Sequence, residues 1–153
     1  MKTAEEILNE KNRSIISVPS ETLVIETIKV MVRSRIGAIL VTEDGKIVGI
    51  WTERDLLEDT TKEKFDPRRM RIREVMTTKL ISAPHTDPVY QLLDKFLGLR
   101  IRHLLIEKDG QYIGLLSWGD VIKAYLNIKQ EELRKLNAMV SWEYYENWRW
   151  EKK

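Results

Sequence analysis

The 153-residue chain has no cysteine, which excludes disulfides and cysteine–zinc sites and fits a cytoplasmic protein. It has no apolar run of roughly 18 residues, so no transmembrane helix is expected. Its opening stretch, MKTAEEILNEK, places acidic residues where a signal peptide has its apolar core, so no secretion signal is expected. It also lacks a strong charge of one sign, and a net charge of +2 does not by itself argue for nucleic-acid binding. There are only two histidines, no pair of them at metal-ligand spacing, and no Gly-rich phosphate loop. Ser117 with His103 is a conceivable catalytic pair, but no third residue completes a triad. These absences argue against an enzyme. What remains is a globular composition, 42% hydrophobic and 33% charged.

The dominant positive feature is an internal repeat. RIGAILVTEDGKIVGIWTERDLL, from Arg35, lies over RIRHLLIEKDGQYIGLLSWGDVI, from Arg100, with a constant offset of 65 and no gap. Arg35, Leu40, Asp44, Gly45, Gly49 and Asp55 fall on Arg100, Leu105, Asp109, Gly110, Gly114 and Asp120. Ser17 and Pro19 fall on Ser82 and Pro84. Nearer the start the register slips: Glu6-Ile7-Leu8 matches Glu74-Val75-Met76 at an offset of 68, so the first copy carries about three extra residues near Asn12.

Each copy predicts the order β-α-β-β-α. A short strand (Ile15–Val18; Leu80–Ala83) ends at a proline. Val24, Ile28, Met31 and Val32, like Val89, Leu93, Phe96 and Leu97, have the spacing of one helical face, with Thr22 and Asp87 as expected N-caps. Strands at Ala38–Val41 and Leu104–Ile106 lead into Asp44-Gly45 and Asp109-Gly110, a strong hairpin signal. The returning strands are Ile47–Trp51 and Tyr112–Leu116, and Thr52 or Ser117 opens the second helix. The expected fold is α/β (α+β), two such units packed sheet to sheet about a pseudo-twofold axis, because a unit of about 50 residues is too small for a stable core. Clefts between the copies are natural ligand sites.

Gly49, Thr52 and Asp55 recur as Gly114, Ser117 and Asp120. The hydroxyl stands at a helix start, where free N–H groups and the dipole favour an anion. The aspartate one turn in can accept from both hydroxyls of a ribose. The glycine would let a planar group approach the backbone. A plainer reading makes the hydroxyls N-caps and the aspartates first-turn acids. Capping alone does not call for the glycine, and that tips the balance towards a site. His103, beside Arg100 and Arg102, could neutralise a phosphate or be a partly buried strand-edge residue. His85 reads as solvated.

GIWTERDLL, RHLLIEKDGQYIGLLSWGDVIKAYL and the entry segment Ile72-Arg-Glu-Val-Met76-Thr resemble the two halves of a CBS-domain pair, a Bateman module of the stand-alone bacterial and archaeal type. The resemblance covers roughly residues 4 to 126. It implies an adenosyl ligand (AMP, ADP, ATP or S-adenosylmethionine) in the cleft, with no covalent cofactor and no metal. It implies that Asp120 and Asp55 hold the ribose, that Ser117 and Thr52 lie near phosphate or ribose, and that Ile16, Ser17, Ile81 and Ser82 contact the base. Arg102 and His103 join the second copy's site. The first copy departs from the pattern with Gly37-Ala38 in place of Arg102-His103, and with a bulky Trp51 just before Thr52. Two similar but unequal clefts are therefore expected, the second copy's the better formed.

The expected organisation is a first motif over 1–61, a basic linker over 62–71, a second motif over 72–126 and an aromatic-rich helix over 127–153. Lys62–Arg73 holds six basic and two acidic residues and could steer a polyphosphate, although such runs are usually solvated. In the tail, Leu126, Leu133, Leu136 and Val140 continue a helical stripe. Trp142, Tyr145 and Trp148 then share one face, an apolar patch of the kind that marks an interface; docking on a second copy is favoured, docking on its own module comes next, and an effector enzyme or transporter is a further partner. The competing functions are a ligand-free scaffold working through this tail, and nucleic-acid binding through linker and tail, the latter disfavoured by Glu143, Glu146 and Glu151.

Overall fold

The computed structural model describes residues 1–139, so the tail expectations on Val140, Trp142, Tyr145 and Trp148 lie outside the described residues. In chain order the elements are α1 (Ala4–Lys11), β1 (Ser17–Pro19), α2 (Val24–Ser34), β2 (Ala38–Glu43), β3 (Lys46–Thr52), α3 (Glu53–Asp59), a single 3-10 turn (Ile72–Glu74), β4 (Ser82–Pro84), α4 (Val89–Leu99), β5 (His103–Lys108), β6 (Gln111–Ser117) and α5 (Trp118–Met139). They form two three-stranded sheets of one topology, β1-β2-β3 and β4-β5-β6. In each, the first strand pairs parallel with the second and the second antiparallel with the third. The hairpin turns follow from their residues. Asp44 and Gly45 have φ of 50° and 76°, Asp109 and Gly110 of 51° and 75°, and two successive positive φ values are what a tight hairpin needs to match strand twist.

Each sheet builds a core with its own helices, Ile39, Val41 and Trp51 with Val24 and Met31 in one, Leu104, Ile106 and Leu116 with Val89, Leu92 and Phe96 in the other. Leu40 and Leu105 point to the opposite face of β2 and β5, because side chains alternate along a strand. Both are fully buried, so each sheet is covered on its second face as well, by the other copy.

Three local expectations are corrected. The first strands lie about two residues later than the apolar run, at Ser17–Pro19 and Ser82–Pro84. Helices α2 and α4 are capped at Leu23 and Pro88, with no side-chain cap, rather than at Thr22 and Asp87. The Thr22 carbonyl accepts from the N–H of Ile72, and the Asp87 carboxylate is taken by Lys95 at 2.6 Å. Finally, Val32 and Leu97, assigned to the buried stripe, are exposed, while Thr27 and Leu92 are fully buried. The inward face is rotated by one residue from the apolar pattern in both copies.

The entry segments are exchanged between the copies. Helix α1 opens with a capping box between Thr3 and Glu6, and Ala4 and Ile7 are buried in the core of the second copy. Ile72, at the head of the second copy, is fully buried in the core of the first, with Val75 and Met76 packed beside it. The glycines make this exchange possible. A Cβ on Gly114 would stand 2.7 Å from Cδ2 of Leu8, and one on Gly49 would stand 2.9 Å from Cγ of Met76 and closer still to its sulfur. Leu8 and Met76 are the pair matched at the offset of 68. The paired glycines therefore need no planar ligand to explain them; they admit the other copy's entry segment. Gly49→Ala and Gly114→Ala are each expected to lower stability by about 1–3 kcal/mol through overpacking. Gly98→Ala, inside α4 with open space around its Cα, is expected to raise it by about 0.5–1 kcal/mol. Urea unfolding midpoints of the three variants check both directions.

Candidate functional site

The two signature segments lie where a third strand runs into a helix. Thr52 caps α3: its hydroxyl accepts from the N–H of Asp55 at 3.2 Å, and the Asp55 carboxylate accepts from the N–H of Thr52 at 2.9 Å. Ser117 and Asp120 repeat the arrangement at 3.1 Å and 2.8 Å. The reciprocal bonds satisfy end donors of each helix and lock each aspartate at its start. The first N–H of each helix crosses to the opposite strand: Glu53 donates to the Gly37 carbonyl at 2.9 Å and Trp118 to the Arg102 carbonyl at 2.8 Å. This ties the signature to residues 37–38 and 102–103, where the copies differ.

Two clefts lie between the copies, and each is assembled across them. The first has a volume of about 610 Å³ and joins Ser117 and Asp120 of the second copy to Ile16, Gly37 and Ala38 of the first. The second, of about 260 Å³, joins Thr52 and Asp55 to Ile81, Arg102 and His103. Arg102, expected to join the second copy's site with Asp120, lines the cleft of Asp55. The cleft that contains Asp120, expected to be the better formed, is the larger of the two. Small residues at 37 and 38 open the cleft that contains Asp120, whereas Arg102 and His103 narrow the one that contains Asp55. His103 borders both cavities. Ser17 and Ser82 line neither; Ser82 instead faces Glu107 at 3.4 Å. Trp51 is no obstacle, because its indole is fully buried among the helices and donates to Asp59 at 3.0 Å.

The electrostatics of the first cleft centre on Asp120. Burial pushes its carboxyl up, but the Lys11 ammonium and the Ser117 N–H together hold it below the usual carboxylate range. Lys11 reaches Asp120 from the end of α1, its Nζ 2.7 Å from the carboxylate and 3.1 Å from the Leu115 carbonyl. Arg13 and Arg35 line the same cavity. His103 is lowered, first by burial and then by the positive charge of Lys11, so it is neutral at pH 7 and able to accept as well as donate. A cavity lined by a half-buried carboxylate, apolar side chains and cations can take a vicinal diol, a flat apolar group and an anion at once.

Sequence reasoning missed Lys11, Arg13 and Arg35, and Lys79 in the second cleft. A signal for two of them was present. The offset of 68 that pairs Leu8 with Met76 pairs Lys11 with Lys79 three residues later.

The CBS-domain family model matches residues 4–60 and again residues 72–127. The chain belongs to the CBS-domain family. A CBS-domain-containing protein of Arabidopsis thaliana, CBSX3, mitochondrial, is 28% identical over 151 residues, covering 93% of this chain and 73% of that one. A CBS-domain-containing protein from Agrobacterium tumefaciens superposes with a TM-score of 0.75 at 30% identity, covering 81% of this chain and 99% of that one. A CBS-domain protein from Pyrobaculum aerophilum, solved in complex with AMP, shares the fold at a TM-score of 0.67 and 24% identity, covering 78% of this chain and 89% of that one. In this CBS pair, the family model's break at residues 61–71 falls on the basic segment after α3.

Proposed function

We propose that this CBS pair is a regulatory module, not an enzyme, that binds an adenosyl nucleotide between its two motifs and passes occupancy to a partner or through the geometry of a dimer. The observation that carries the proposal is the first cleft: its volume of about 610 Å³ lies within the range of roughly 300–1,000 Å³ that small-molecule sites occupy. Asp120 would hold the ribose hydroxyls, with Ser117 beside it. Ile16 and the small Gly37-Ala38 step would receive the base, and His103 with the nearby cations would face the phosphate. In the second cleft Asp55, Thr52, Ile81, Arg102 and His103 would take the same roles, in less space. AMP, ADP and ATP are the expected ligands, with S-adenosylmethionine as the adenosyl alternative. A cytoplasmic homodimer acting on an effector enzyme or transporter is the setting this favours.

Calorimetry of the chain with AMP, ADP, ATP and S-adenosylmethionine tests it. At least one is expected to bind saturably and to raise the thermal midpoint, as any ligand specific for the folded state must. No heat from any of the four, in protein freed of co-purified ligand, would overturn the proposal in favour of a ligand-free scaffold.

A further inference from the structure

We propose that Lys11 is an exchangeable counter-ion that makes the first cleft select ligands carrying both a vicinal diol and an anionic group. The inference rests on the nucleotide proposal above and extends it to ligand choice. The Asp120 carboxylate is already engaged within the chain: the same Oδ2 accepts from Lys11 at 2.7 Å and from Ser117 at 2.8 Å. A ribose whose two hydroxyls take one carboxylate oxygen each needs Oδ2, where two donors already sit, and so displaces the ammonium. Lys11 is only about a quarter exposed, at 25% for its side chain, so an ammonium left there unpaired is costly. Lys108 already ties up the other carboxylate lining the cavity, Glu5, at 2.6 Å. A neutral nucleoside therefore gains Asp120 but strands Lys11. A nucleoside phosphate gains Asp120 and supplies Lys11 with a new partner, with Arg13 and Arg35 lining the same cavity.

The second cleft shows the alternative arrangement. Lys79, the equivalent of Lys11 at the offset of 68, lines that cleft, yet among the described residues Asp55 accepts only from its own helix cap. The cause is the conformation of the entry segments. In the first copy α1 runs on to Lys11, and its side chain takes the Leu115 carbonyl. In the second copy the chain after the 3-10 turn makes an isolated antiparallel bridge from Thr77 to Ile50, and the N–H of Thr77 takes the equivalent carbonyl of Ile50 at 2.8 Å. The two clefts thus hold their entry-segment lysines differently, Lys11 bonded to the strand and to Asp120, Lys79 lining the cleft of an aspartate bonded only within its own cap.

The test is calorimetry of AMP and adenosine on the full chain carrying Asp55→Ala, which silences the second cleft, with and without Lys11→Met; Lys11→Gln and thermal midpoints guard against a folding defect. AMP is expected to bind better than adenosine. Lys11→Met is expected to weaken AMP by roughly ten- to a hundredfold, the loss of one charge-assisted hydrogen bond, and to strengthen adenosine by about three- to fivefold as the competing ion pair is removed. The preference collapses from both sides. A merely structural Lys11 would shift both ligands together. That result, or an unchanged ratio, overturns the inference while leaving the nucleotide proposal standing, provided AMP still binds. If neither ligand binds even the unaltered chain, the inference falls, and the nucleotide proposal is then decided by ADP, ATP and S-adenosylmethionine.

Discussion

Asp120→Ala is expected to weaken AMP binding to the first cleft by roughly ten- to a hundredfold, because the substitution removes the one carboxylate placed to accept from the ribose hydroxyls, and bonds to a charged acceptor contribute about 1.5–3 kcal/mol. The substitution has a structural cost as well. Asp120 closes the capping box at the start of α5 through the N–H of Ser117, and losing a cap costs about 0.5–2 kcal/mol. Two controls separate these effects. Asp120→Asn keeps an acceptor for the Ser117 N–H but loses the charge, so it should recover most of the stability and only part of the affinity. Asp55→Ala removes the equivalent cap in the other copy while leaving the first cleft intact, so it should lose comparable stability without the loss in that cleft. If Asp120→Ala and Asp55→Ala weaken AMP equally, the ranking of the clefts is wrong.

Trp51→Ala is expected to be the most damaging single substitution for stability, at about 3–5 kcal/mol, a large part of the 5–15 kcal/mol typical of a domain. Trp51 is fully buried and anchors the core of the first copy. Its Nε1 also donates to Asp59, a carboxylate only 5% exposed, whose other partner is Lys62 at 2.8 Å. At the matching positions of the second copy stand Leu116 and Ala124, both buried. The two copies thus solve one packing problem differently, one with an indole and a carboxylate joined by a hydrogen bond, the other with two apolar side chains. Trp51→Leu alone should cost about 1–3 kcal/mol more than its lost volume explains, because it leaves Oδ2 of the buried Asp59 carboxylate without its donor. Adding Asp59→Ala should return part of that loss, a coupling that urea unfolding of the four-member cycle measures directly. Strict additivity would show that the hydrogen bond contributes nothing.

The repeat at 65 made the strand order, the hairpins and both capping boxes legible, because each depends on residues close in sequence. Asp-Gly sets a turn, and Thr52 with Asp55, or Ser117 with Asp120, closes a cap within four residues. The caps expected at Thr22 and Asp87 failed because distant groups had claims on them: Ile72 on the Thr22 carbonyl and Lys95 on the Asp87 carboxylate. The exchange of entry segments was illegible for the same reason. Nothing in Ala4–Lys11 says that it packs on residues more than eighty positions away. Its trace was the slipped register near Asn12, and following that slip to Lys11 and Lys79 would have exposed the lysines of both clefts. Gly49 and Gly114 lie against Met76 and Leu8, and Gly114 also lines the Asp120 cleft. Their repetition therefore supports the pairing of the motifs and leaves the site to rest on Asp120, Ser117 and the small residues at 37 and 38.

The central claim is that an adenosyl nucleotide sits across the two motifs in the cleft that Asp120 shares with the first copy. A crystal structure of the chain grown with saturating AMP tests it most directly. The expected density has ribose hydroxyls on the Asp120 carboxylate, the base between Ile16 and the Gly37-Ala38 step, and the phosphate towards Lys11 and His103. AMP bound only beside Asp55, or away from both clefts, or no AMP at a concentration where calorimetry shows saturation, would contradict it.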